Sequence, residues 1–480
     1  MIADLKPYPA MKDAGVPSLG EVPEHWGVRR LRTVTDMRVS NIDKHSNDDE
    51  RTVRLCNYLD VYKHDHIGTD MPFMRATAST SEIARFRLAV GDVLITKDSE
   101  SWNDIGVPAL VLESADDLIC GYHLALLRSD PELLTGAYLF RAVQSEGVAY
   151  QLHINANGVT RFGLSHSAIK STWVPTPPLY DQAAIVRFLD YADGRIRRYI
   201  RAKQQLIKLL EEEKRAILHR AVTRGLDPNV RLKPSGVEWL GDVPEHWEVR
   251  RVKSLSLVKR GASPRPIADP RYFDDAGVYA WVRIADVTAS SRYLERTTQR
   301  LSSLGQSLSV PLEPGALFLS IAGSVGKPMI TRIKCCIHDG FVYFPQFHGN
   351  VEYLCRVFSS GTPFARLGKL GTQLNLNTET VGSIFLGWPP ADEQAAIVSF
   401  LDEATATRDS AIRSAQREIS LLLEYRSRLI ADVVTGKLDV REAVAGLPEE
   451  LEQIDEAELE EVVDDELADD LDTELEEVEA

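Results

Sequence analysis

The sequence predicts an α+β protein in which two globular parts are separated by two long antiparallel coiled-coil helices and related by an approximate two-fold axis. Two repeated phrases and one apolar periodicity carry this prediction. The phrase GEVPEHWGVRR at residues 20–30 returns as GDVPEHWEVRR at residues 241–251, with nine identities in eleven positions. The phrase QAAIVRFLD at residues 182–190 returns as QAAIVSFLD at residues 394–402. Each unit therefore consists of a variable globular part followed by a constant segment.

The globular parts are predicted at residues 1–178 and 241–390. Each contains a short apolar run beside a glycine, VGDVLIT at residues 90–96 and PGALFLS at residues 314–320, which predicts a buried strand. A glycine loop, a second strand and a helix follow in both parts. This order indicates an α+β domain rather than a parallel βαβ array.

The constant segments are predicted as spacer helices at residues 179–224 and 391–436, with a linker at residues 225–240. Apolar residues recur at the alternating spacing of four and three that is typical of coiled coils, as at Ile185, Leu189, Ala192 and Ile196. Residues 179–240 carry 13 basic and 8 acidic groups, whereas residues 391–446 carry 7 and 10. This complementarity favours pairing of the two helices. Two separate helices that each cap one domain remain an alternative.

Charge divides the chain into a neutral body and an acidic tail. The net charge is -16, but residues 447–480 hold 18 acidic residues and no Lys or Arg. The rest carries 55 basic against 53 acidic groups, so strong phosphate binding by this chain alone is not predicted. We predict that the tail, residues 437–480, is disordered or partly helical. No apolar run of 18 residues is present, and we expect a cytoplasmic protein without a membrane segment.

Polar loops close both globular parts just before a Pro-Pro pair. They read NANGVTRFGL at residues 155–164 and GTQLNLN at residues 371–377. Amide, hydroxyl and guanidinium groups on loops of a rigid scaffold are the groups that read base edges. The candidate DNA-binding residues on these loops are Asn157, Thr160, Arg161, Gln373 and Asn375. Arg265, Ser324 and Lys327 are further candidates in the second globular part. The alternative for each of them is an ordinary solvated loop residue.

Several motifs resemble catalytic or metal sites but lack the spacing or the residues that those sites require. GSVGK at residues 323–327 has two residues between its glycines where a phosphate-binding loop needs four. TPPLY at residues 176–180 lacks the acid or amide and the aromatic residue of an amino-methyltransferase signature. His64 and His66 have no matching set of ligands, and the five cysteines show no C-x-x-C spacing. We predict no catalytic residue and no metal site.

The doubled pattern resembles the specificity (S) subunit of type I restriction-modification enzymes. The residues that carry the resemblance are SLGEVPEHW at 18–26, WLGDVPEHW at 239–247, PPLYDQAAIVRFLD at 177–190, PPADEQAAIVSFLD at 389–402 and TGKLDVRE at 435–442. The resemblance covers residues 18–442. The acidic tail has no counterpart in the family pattern.

The resemblance implies that each globular part is a target-recognition domain that reads one half of a bipartite site in double-stranded DNA. The paired helices would set the spacing and dock two methyltransferase subunits, with restriction and translocase subunits in the larger complex. S-adenosylmethionine, ATP and Mg would be bound by these partners and none by this chain, which is not itself an enzyme. Because the two parts differ in sequence, the full site should be non-palindromic. A coiled-coil adaptor without a DNA role and a self-contained nuclease or methyltransferase are the alternatives.

Overall fold

Short strands in the first half of the chain form a mixed five-stranded sheet. The computed structural model describes residues 5–42, 47, 49–364 and 376–448. We call residues 5–178 the first head and residues 225–390 the second head. The first head contains the strands β1 (Met11–Asp13), β2 (Glu21–Pro23), β3 (Gly27–Arg30), β4 (Thr35–Val39), β5 (Arg51–Cys56), β6 (His66–Ile67), β7 (Met74–Ala78), β8 (Val93–Thr96), β9 (Asp98–Ser99), β10 (Pro108–Val111), β11 (Leu118–Cys120), β12 (Leu124–Ser129), β13 (Asn157–Gly158), β14 (Phe162–Gly163) and β15 (Trp173–Thr176). Its helices are α1 (Tyr58–Lys63), α2 (Thr80–Phe86), α3 (Gly136–Gln144), α4 (Glu146–His153) and α5 (His166–Ser171).

The main sheet of the first head has the order β4-β12-β8-β10-β6. Neighbouring strands are antiparallel except β10 and β6, which are parallel. Every residue of β8 and β10 is buried, as expected for central strands covered on both faces. Gly91 has a φ of 87° in the turn that leads into β8, a conformation that favours glycine. The first head also contains two three-stranded sheets, with the orders β11-β5-β7 and β13-β14-β9, and the strand pairs β1-β2 and β15-β3.

A long helix, α6 (Leu179–Arg224), follows the first head and leads to a second head with matching topology. Its strands are β16 (Leu232–Pro234), β17 (Asp242–Pro244), β18 (Glu248–Arg251), β19 (Lys259–Arg260), β20 (Tyr279–Val282), β21 (Tyr293–Leu294), β22 (Gln299–Leu301), β23 (Val310–Leu312), β24 (Leu317–Ser320), β25 (Pro328–Thr331), β26 (Cys335–Ile337), β27 (Phe341–Tyr343) and β28 (Phe385–Trp388). Its helices are α7 (Val252–Leu255), α8 (Ile284–Thr288), α9 (Ser303–Ser307), α10 (Val351–Ser359) and α11 (Thr378–Ser383).

The main sheet of the second head repeats the strand order of the first. Its order is β19-β27-β24-β25-β21, and the parallel pair, β25 and β21, again lies at one edge. The smaller sheet has the order β22-β20-β26-β23. Gly315, with a φ of 91°, occupies the turn before β24 as Gly91 does before β8. The mixed helix and strand content predicted from the sequence is confirmed in both heads.

A second long helix, α12 (Ala391–Val434), follows the second head, and a short helix, α13 (Arg441–Ala445), follows α12. Pro178 and Pro390 directly precede α6 and α12, where the lost amide hydrogen bond costs nothing. The described residues divide into two compact units, residues 5–201 with 418–448 and residues 202–417. Each unit thus contains one head and one part of each long helix.

The repeated phrase PEHW binds the first turn of a long helix in both units. In the first unit, Trp26 Nε1 donates to Asp181 Oδ2 at 2.9 Å, and His25 Nε2 lies 2.8 Å from the same oxygen. In the second unit, His246 Nε2 lies 2.7 Å from Glu393 Oε2. Asp181 and Glu393 are the variable D or E of the repeated P-P-x-x-[DE]-Q phrase. In each unit, therefore, the PEHW phrase contacts the acidic residue of the P-P-x-x-[DE]-Q phrase.

Glycine at the end of the other long helix completes the same contact. A Cβ on Gly436 would lie 2.3 Å from the Pro23 ring and 3.1 Å from Trp26. A Cβ on Gly225 would lie 3.1 Å from Glu393 Oε1 and 3.3 Å from the Trp247 ring. Both glycines have positive φ angles, 74° and 70°, which end their helices in the left-handed conformation.

In the first unit, the segment after α12 packs on the N-terminal residues. The Asp439 amide donates to the Lys6 carbonyl at 2.7 Å, and the Arg441 guanidinium lies 4.7 Å from the centre of the Tyr8 ring. Val440 and Leu447 are buried. In the first unit, this region is built from two segments far apart in the sequence, the residues after α12 and the N-terminal residues of the first head. In the second unit, the continuous residues 223–247 form the corresponding region.

Candidate DNA interface

The polar loop of the first head is a β-hairpin with an exposed tip. Strands β13 and β14 pair with each other, and β14 pairs with β9. A Cβ at Gly158 would lie 1.9 Å from the Arg161 carbonyl oxygen, so the tight hairpin requires glycine there. Val159 is 92% exposed at the tip, and Asn157, Thr160 and Arg161 are exposed around it. The three residues predicted in the first head thus lie together on one projecting hairpin.

Arg161 is held by a chain of polar contacts that reaches into the sheet. Its NH2 group lies 3.5 Å from His123 Nε2, and His123 Nδ1 lies 2.6 Å from Asp98 Oδ2. Lys97 Nζ donates to the same Asp98 oxygen at 2.7 Å. Burial raises the pKa of Asp98, but the hydrogen bonds from Lys97 and His123 lower it by a larger amount, so the net pKa lies below its ordinary value. Asp98 is therefore ionised at neutral pH and orients the side chains of Lys97 and His123.

His123 has a φ of 71°, which is uncommon for a residue other than glycine. Such strained positions cluster at binding sites. The neighbouring Tyr122 ring is 46% exposed and lies 4.0 Å from the His123 ring, between centroids. Sequence reasoning missed Lys97, Asp98, Tyr122 and His123, because no local motif marks them. The pairing of β9 with β14 brings them to the predicted hairpin.

In the second head, Arg265 lies beside Asp339. Arg265 NH2 donates to Asp339 Oδ2 at 3.1 Å, and Ser263 Oγ donates to Oδ1 of the same carboxylate at 2.7 Å. Burial raises the pKa of Asp339, but the hydrogen bond from Ser263 and the charges of neighbouring groups lower it to a net value below the ordinary one. The Arg265 side chain is 56% exposed. A charged, partly fixed arginine therefore faces solvent at this position.

Ser324 and Lys327 lie together on the loop between β24 and β25. Ser324 Oγ lies 2.7 Å from Thr288 Oγ1, and Lys327 Nζ donates to the Thr288 carbonyl at 2.9 Å. Burial lowers the pKa of Lys327. The lysine thus ties this loop to α8. Gln373 and Asn375 lie outside the described residues.

The candidate residues occupy the same end of the main sheet in both heads. In the first head, the Lys97 amide after β8 donates to the His123 carbonyl before β12, at 2.8 Å. In the second, the Ile321 amide after β24 donates to the Gly340 carbonyl before β27, also at 2.8 Å. The loop after the central strand and the turn before its neighbour therefore meet in each head. Their side chains differ between the heads although their backbone connections match.

His64 and His66 have structural partners within the first head. His64 Nδ1 lies 2.8 Å from the Asp60 carbonyl, and the His66 ring lies 5.6 Å from the Phe140 ring, between centroids. Within the described residues, no group of three or more His, Cys, Asp or Glu side chains is placed to hold a metal ion. None of the described helices is long and apolar enough to cross a membrane.

Residues 244–418 match the family model described as the type I restriction modification DNA specificity domain. The resemblance to type I specificity subunits that the repeated phrases indicated is confirmed. A protein of Methanocaldococcus jannaschii, named as a candidate type I restriction enzyme MjaX specificity subunit, is 21% identical over 88% of this chain and 96% of its own length. The type I restriction enzyme MjaVIII specificity subunit of the same organism is 19% identical over 88% of this chain and 94% of its own length.

A solved chain also shares the fold. It comes from a study of complex assembly and conformational transition of the type I R-M system, and it superposes with a TM-score of 0.58 at 18% identity. The match covers 87% of this chain and 99% of that chain. These similarities agree with the prediction from the repeated phrases and give no support to the adaptor or to the self-contained enzyme.

Proposed function

We propose that this chain is the sequence-recognition and scaffolding subunit of a cytoplasmic type I restriction-modification complex, and that each head reads one half of a bipartite, asymmetric DNA site. The observation that carries the proposal is the matched end of the two main sheets. The same backbone frame presents the His123 and Arg161 cluster in the first head and the Arg265 and Asp339 cluster in the second. Different side chains on one frame read different bases, so the full site is non-palindromic.

The long helices form the scaffold in this proposal. We propose that α6 and α12 run antiparallel as a coiled coil and hold the heads at opposite ends. Contacts within the units support the pairing, since Arg426 Nε donates to Asp193 Oδ1 at 2.5 Å in the first, and Lys214 bonds to Asp409 in the second. The resulting frame has an approximate two-fold axis, and two copies of one methyltransferase subunit dock on it equivalently.

Exposed apolar residues on the helices support partner docking. Nine large side chains on α6 and α12 are between 39% and 61% exposed, namely Leu179, Tyr180, Tyr199, Leu206, Leu209, Phe400, Leu421, Leu423 and Tyr425. Such residues on a surface helix are suited to packing against other helices. The partner subunits supply S-adenosylmethionine, ATP and Mg chemistry, and this chain supplies the DNA sequence.

Selection from a random pool of double-stranded oligonucleotides tests the proposal. The full chain is used with and without a co-expressed adenine methyltransferase subunit from the same operon. We expect enrichment of two fixed half-sites separated by an unread gap of one length. Failure to enrich any sequence in either mixture would favour the coiled-coil adaptor. Methylation or cleavage by the chain alone would favour a self-contained enzyme.

Exchange of one head tests the division of labour. Residues 40–175 are replaced by the corresponding head of another specificity subunit. We expect one half-site to change and the other to stay as it was. A change in both half-sites would contradict the model in which each head reads independently.

A further inference from the structure

The residue before the parallel edge strand carries opposite charges in the two heads. Strand β6 lies at the parallel edge of the first main sheet, and β21 lies at the same edge of the second. Asp65 directly precedes β6, whereas Arg292 directly precedes β21. Matched topology therefore places an acid and a base at equivalent positions.

Asp65 contacts both long helices within the first unit. Its Oδ2 atom accepts hydrogen bonds from Arg197 on α6 and, at 3.1 Å, from Arg426 on α12. Burial raises the pKa of Asp65, but the charges of Arg197 and Arg426 lower it more, so the net pKa lies below its ordinary value. The ionised carboxylate thus connects the first head to two helices at once.

Arg292 makes the reverse contact within the second unit. Its NH1 group donates to Asp402 Oδ1 on α12 at 2.7 Å and lies 3.4 Å from Glu352 Oε2. Burial raises the pKa of Asp402, but hydrogen bonds from Arg292 and Arg356 lower it to a net value below the ordinary one. In this unit the helix supplies the acid and the head supplies the base.

A second ion pair is common to both units and does not explain the difference. Arg141 NH2 on α3 donates to Asp190 Oδ1 at 2.8 Å, and Arg356 on α10 bonds to Asp402. Asp190 and Asp402 are the last residues of the two repeated phrases. This common pair holds a head helix to the start of its long helix in each unit.

The helix residues at the Asp65 contact are specific to the first unit. At the offset of 212 residues that relates the constant segments, Arg197 corresponds to Asp409 and Arg426 corresponds to Lys214. Lys214 and Asp409 bond to each other. In the first unit these two positions hold arginines that donate to Asp65. In the second unit they hold a lysine and an aspartate that form an ion pair with each other.

We propose that Asp65 and Arg292 are positioning residues that fix the angle of each head on the long helices, so that the unread gap of the DNA site has one length. The proposal rests on the proposed function. Neither residue reads a base, because each lies in a contact with the helices rather than with the loops at the candidate interface. Loss of either contact leaves base reading intact and frees the head to serve several gap lengths.

The test uses the full chain with its co-expressed methyltransferase subunit and duplexes built from the sequence that the wild-type chain selects. One series changes the gap by single base pairs, and the other changes single bases of the first half-site. The variants are Asp65→Asn, Asp65→Arg and the double variant Asp65→Arg/Arg197→Asp, which restores opposite charges. Asp116→Arg is the matched control, since Asp116 is an acid of the same head and 98% exposed.

We expect Asp65→Asn and Asp65→Arg to lose gap selectivity while discrimination at the first half-site is retained. The double variant should recover gap selectivity, and Asp116→Arg should behave like the wild type. Thermal melting identifies any variant that is unfolded. If Asp65→Arg is unfolded, the gap selectivity of Asp65→Asn is compared with that of the wild type instead. Unchanged gap selectivity in folded Asp65→Asn, or equal loss of gap and base selectivity, overturns the positioning role. A wild-type chain that selects no sequence overturns the proposed function instead.

Discussion

The Arg161 guanidinium combines exposure with a fixed position, which is the combination that base reading requires. His123, itself held by Asp98, limits its freedom, so less conformational entropy would be lost if it bound DNA. We expect Arg161→Ala to cost about 1 to 3 kcal/mol of binding to the cognate site and to relax one base position in the first half-site. Binding titrations against single-base variants of that half-site measure the effect.

The control for that prediction is Arg51→Ala, which removes an exposed arginine of the same head from strand β5. It should leave base preference unchanged. His123→Ala should reduce the preference at the same base position as Arg161→Ala, because the arginine loses its orientation. If Arg161→Ala weakens every duplex equally, the arginine contacts phosphate rather than a base.

His338 makes the stability of the second head dependent on pH. Its Nδ1 atom accepts a hydrogen bond from the Gly340 amide at 2.9 Å, which requires an unprotonated nitrogen. Burial lowers the pKa of His338 to about 4. Because the unfolded chain binds this proton near pH 6.5, stability falls as pH drops from about 6.5 to 4, by up to about 3 kcal/mol.

The substitution His338→Asn should flatten this pH dependence, since an amide oxygen accepts the same hydrogen bond without titrating. Urea unfolding at pH 7 and pH 5 provides the measurement. The lowered pKa values of Asp65 and Asp193 act in a separate window, below their ordinary values near pH 4. An equal loss between pH 7 and pH 5 in wild type and variant would exclude His338 as the source.

Sequence reasoning found the hairpin residues of the first head but not the residues behind them. Asn157, Thr160 and Arg161 stand out locally, because polar residues and glycine cluster just before a Pro-Pro pair. Asp98 and His123 are recognisable only after sheet pairing joins segments far apart in the chain. Their charge contacts depend on tertiary geometry, which periodicity does not encode. All eight predicted DNA contacts stay predictions.

The contact between PEHW and the long helix is unequal in the two units. Asp181 is fully buried and accepts from Trp26, whereas Glu393 reaches only the half-exposed His246 among the described residues. Asp181→Ala should therefore cost about 1 to 3 kcal/mol of unfolding free energy, since a buried indole N–H loses its acceptor. Glu393→Ala should cost at most about 1 kcal/mol, as for an exposed ion pair.

Denaturant unfolding of the full chain, monitored by tryptophan fluorescence, compares the two variants. Trp26→Phe provides a further check, because it removes the same hydrogen bond and keeps most of the ring. It should approach Asp181→Ala in cost. Equal costs for Asp181→Ala and Glu393→Ala would show that the hydrogen bond from Trp26 contributes little.

The long helices were the most predictable elements of the chain. Prolines precede them, glycines follow them, and the apolar spacing between these limits is regular. The short strands were harder, because β6, β9, β13, β14, β19 and β21 have two residues each. A strand of two residues is too short to show an alternating sequence pattern, and it is defined only by its hydrogen bonds to neighbouring strands. In the sequence, the common strand order of the two heads was therefore indicated only by glycines that occur in the same order in both.

If the helices set the spacing, a change in helix length should change the gap. Four residues added to one helix displace its end by about 6 Å, which corresponds to roughly two base pairs. We expect the selected gap to lengthen or binding to fail. Four residues added after Asp227, between α6 and β16, serve as the control. An unchanged gap with full affinity would show that the helices do not determine spacing.

At the scale of the whole molecule, the first unit depends on residues from both ends of the described chain. Gly436 lies against Pro23 and Trp26, and Val440 belongs to the core cluster that contains Tyr8. A chain that ends at Val434 should lose recognition of the first half-site and retain the second. A chain that ends at Pro448 should retain both. Selection from the random duplex pool distinguishes these outcomes.

Residues 447–480 concentrate the acidic charge of the chain. Their 18 acidic residues all follow Pro448, whose carbonyl accepts a hydrogen bond from Arg187 on α6 at 2.9 Å, and residues 449–480 lie outside the described residues. The prediction from charge alone is that the tail competes with DNA for basic surfaces of this chain or its partners. The alternative is a tail that only increases solubility.

Removing residues 449–480 separates these roles, because the described contacts of Leu447 and Pro448 remain in place. The shortened chain should bind non-specific duplex more tightly at about 50 mM salt, and the difference should shrink as salt screens the tail. Affinity for the selected site should rise less, since base contacts do not depend on the tail. Equal non-specific affinity of the two chains at low salt, in the presence of the methyltransferase subunit, would leave the tail with a role in solubility alone.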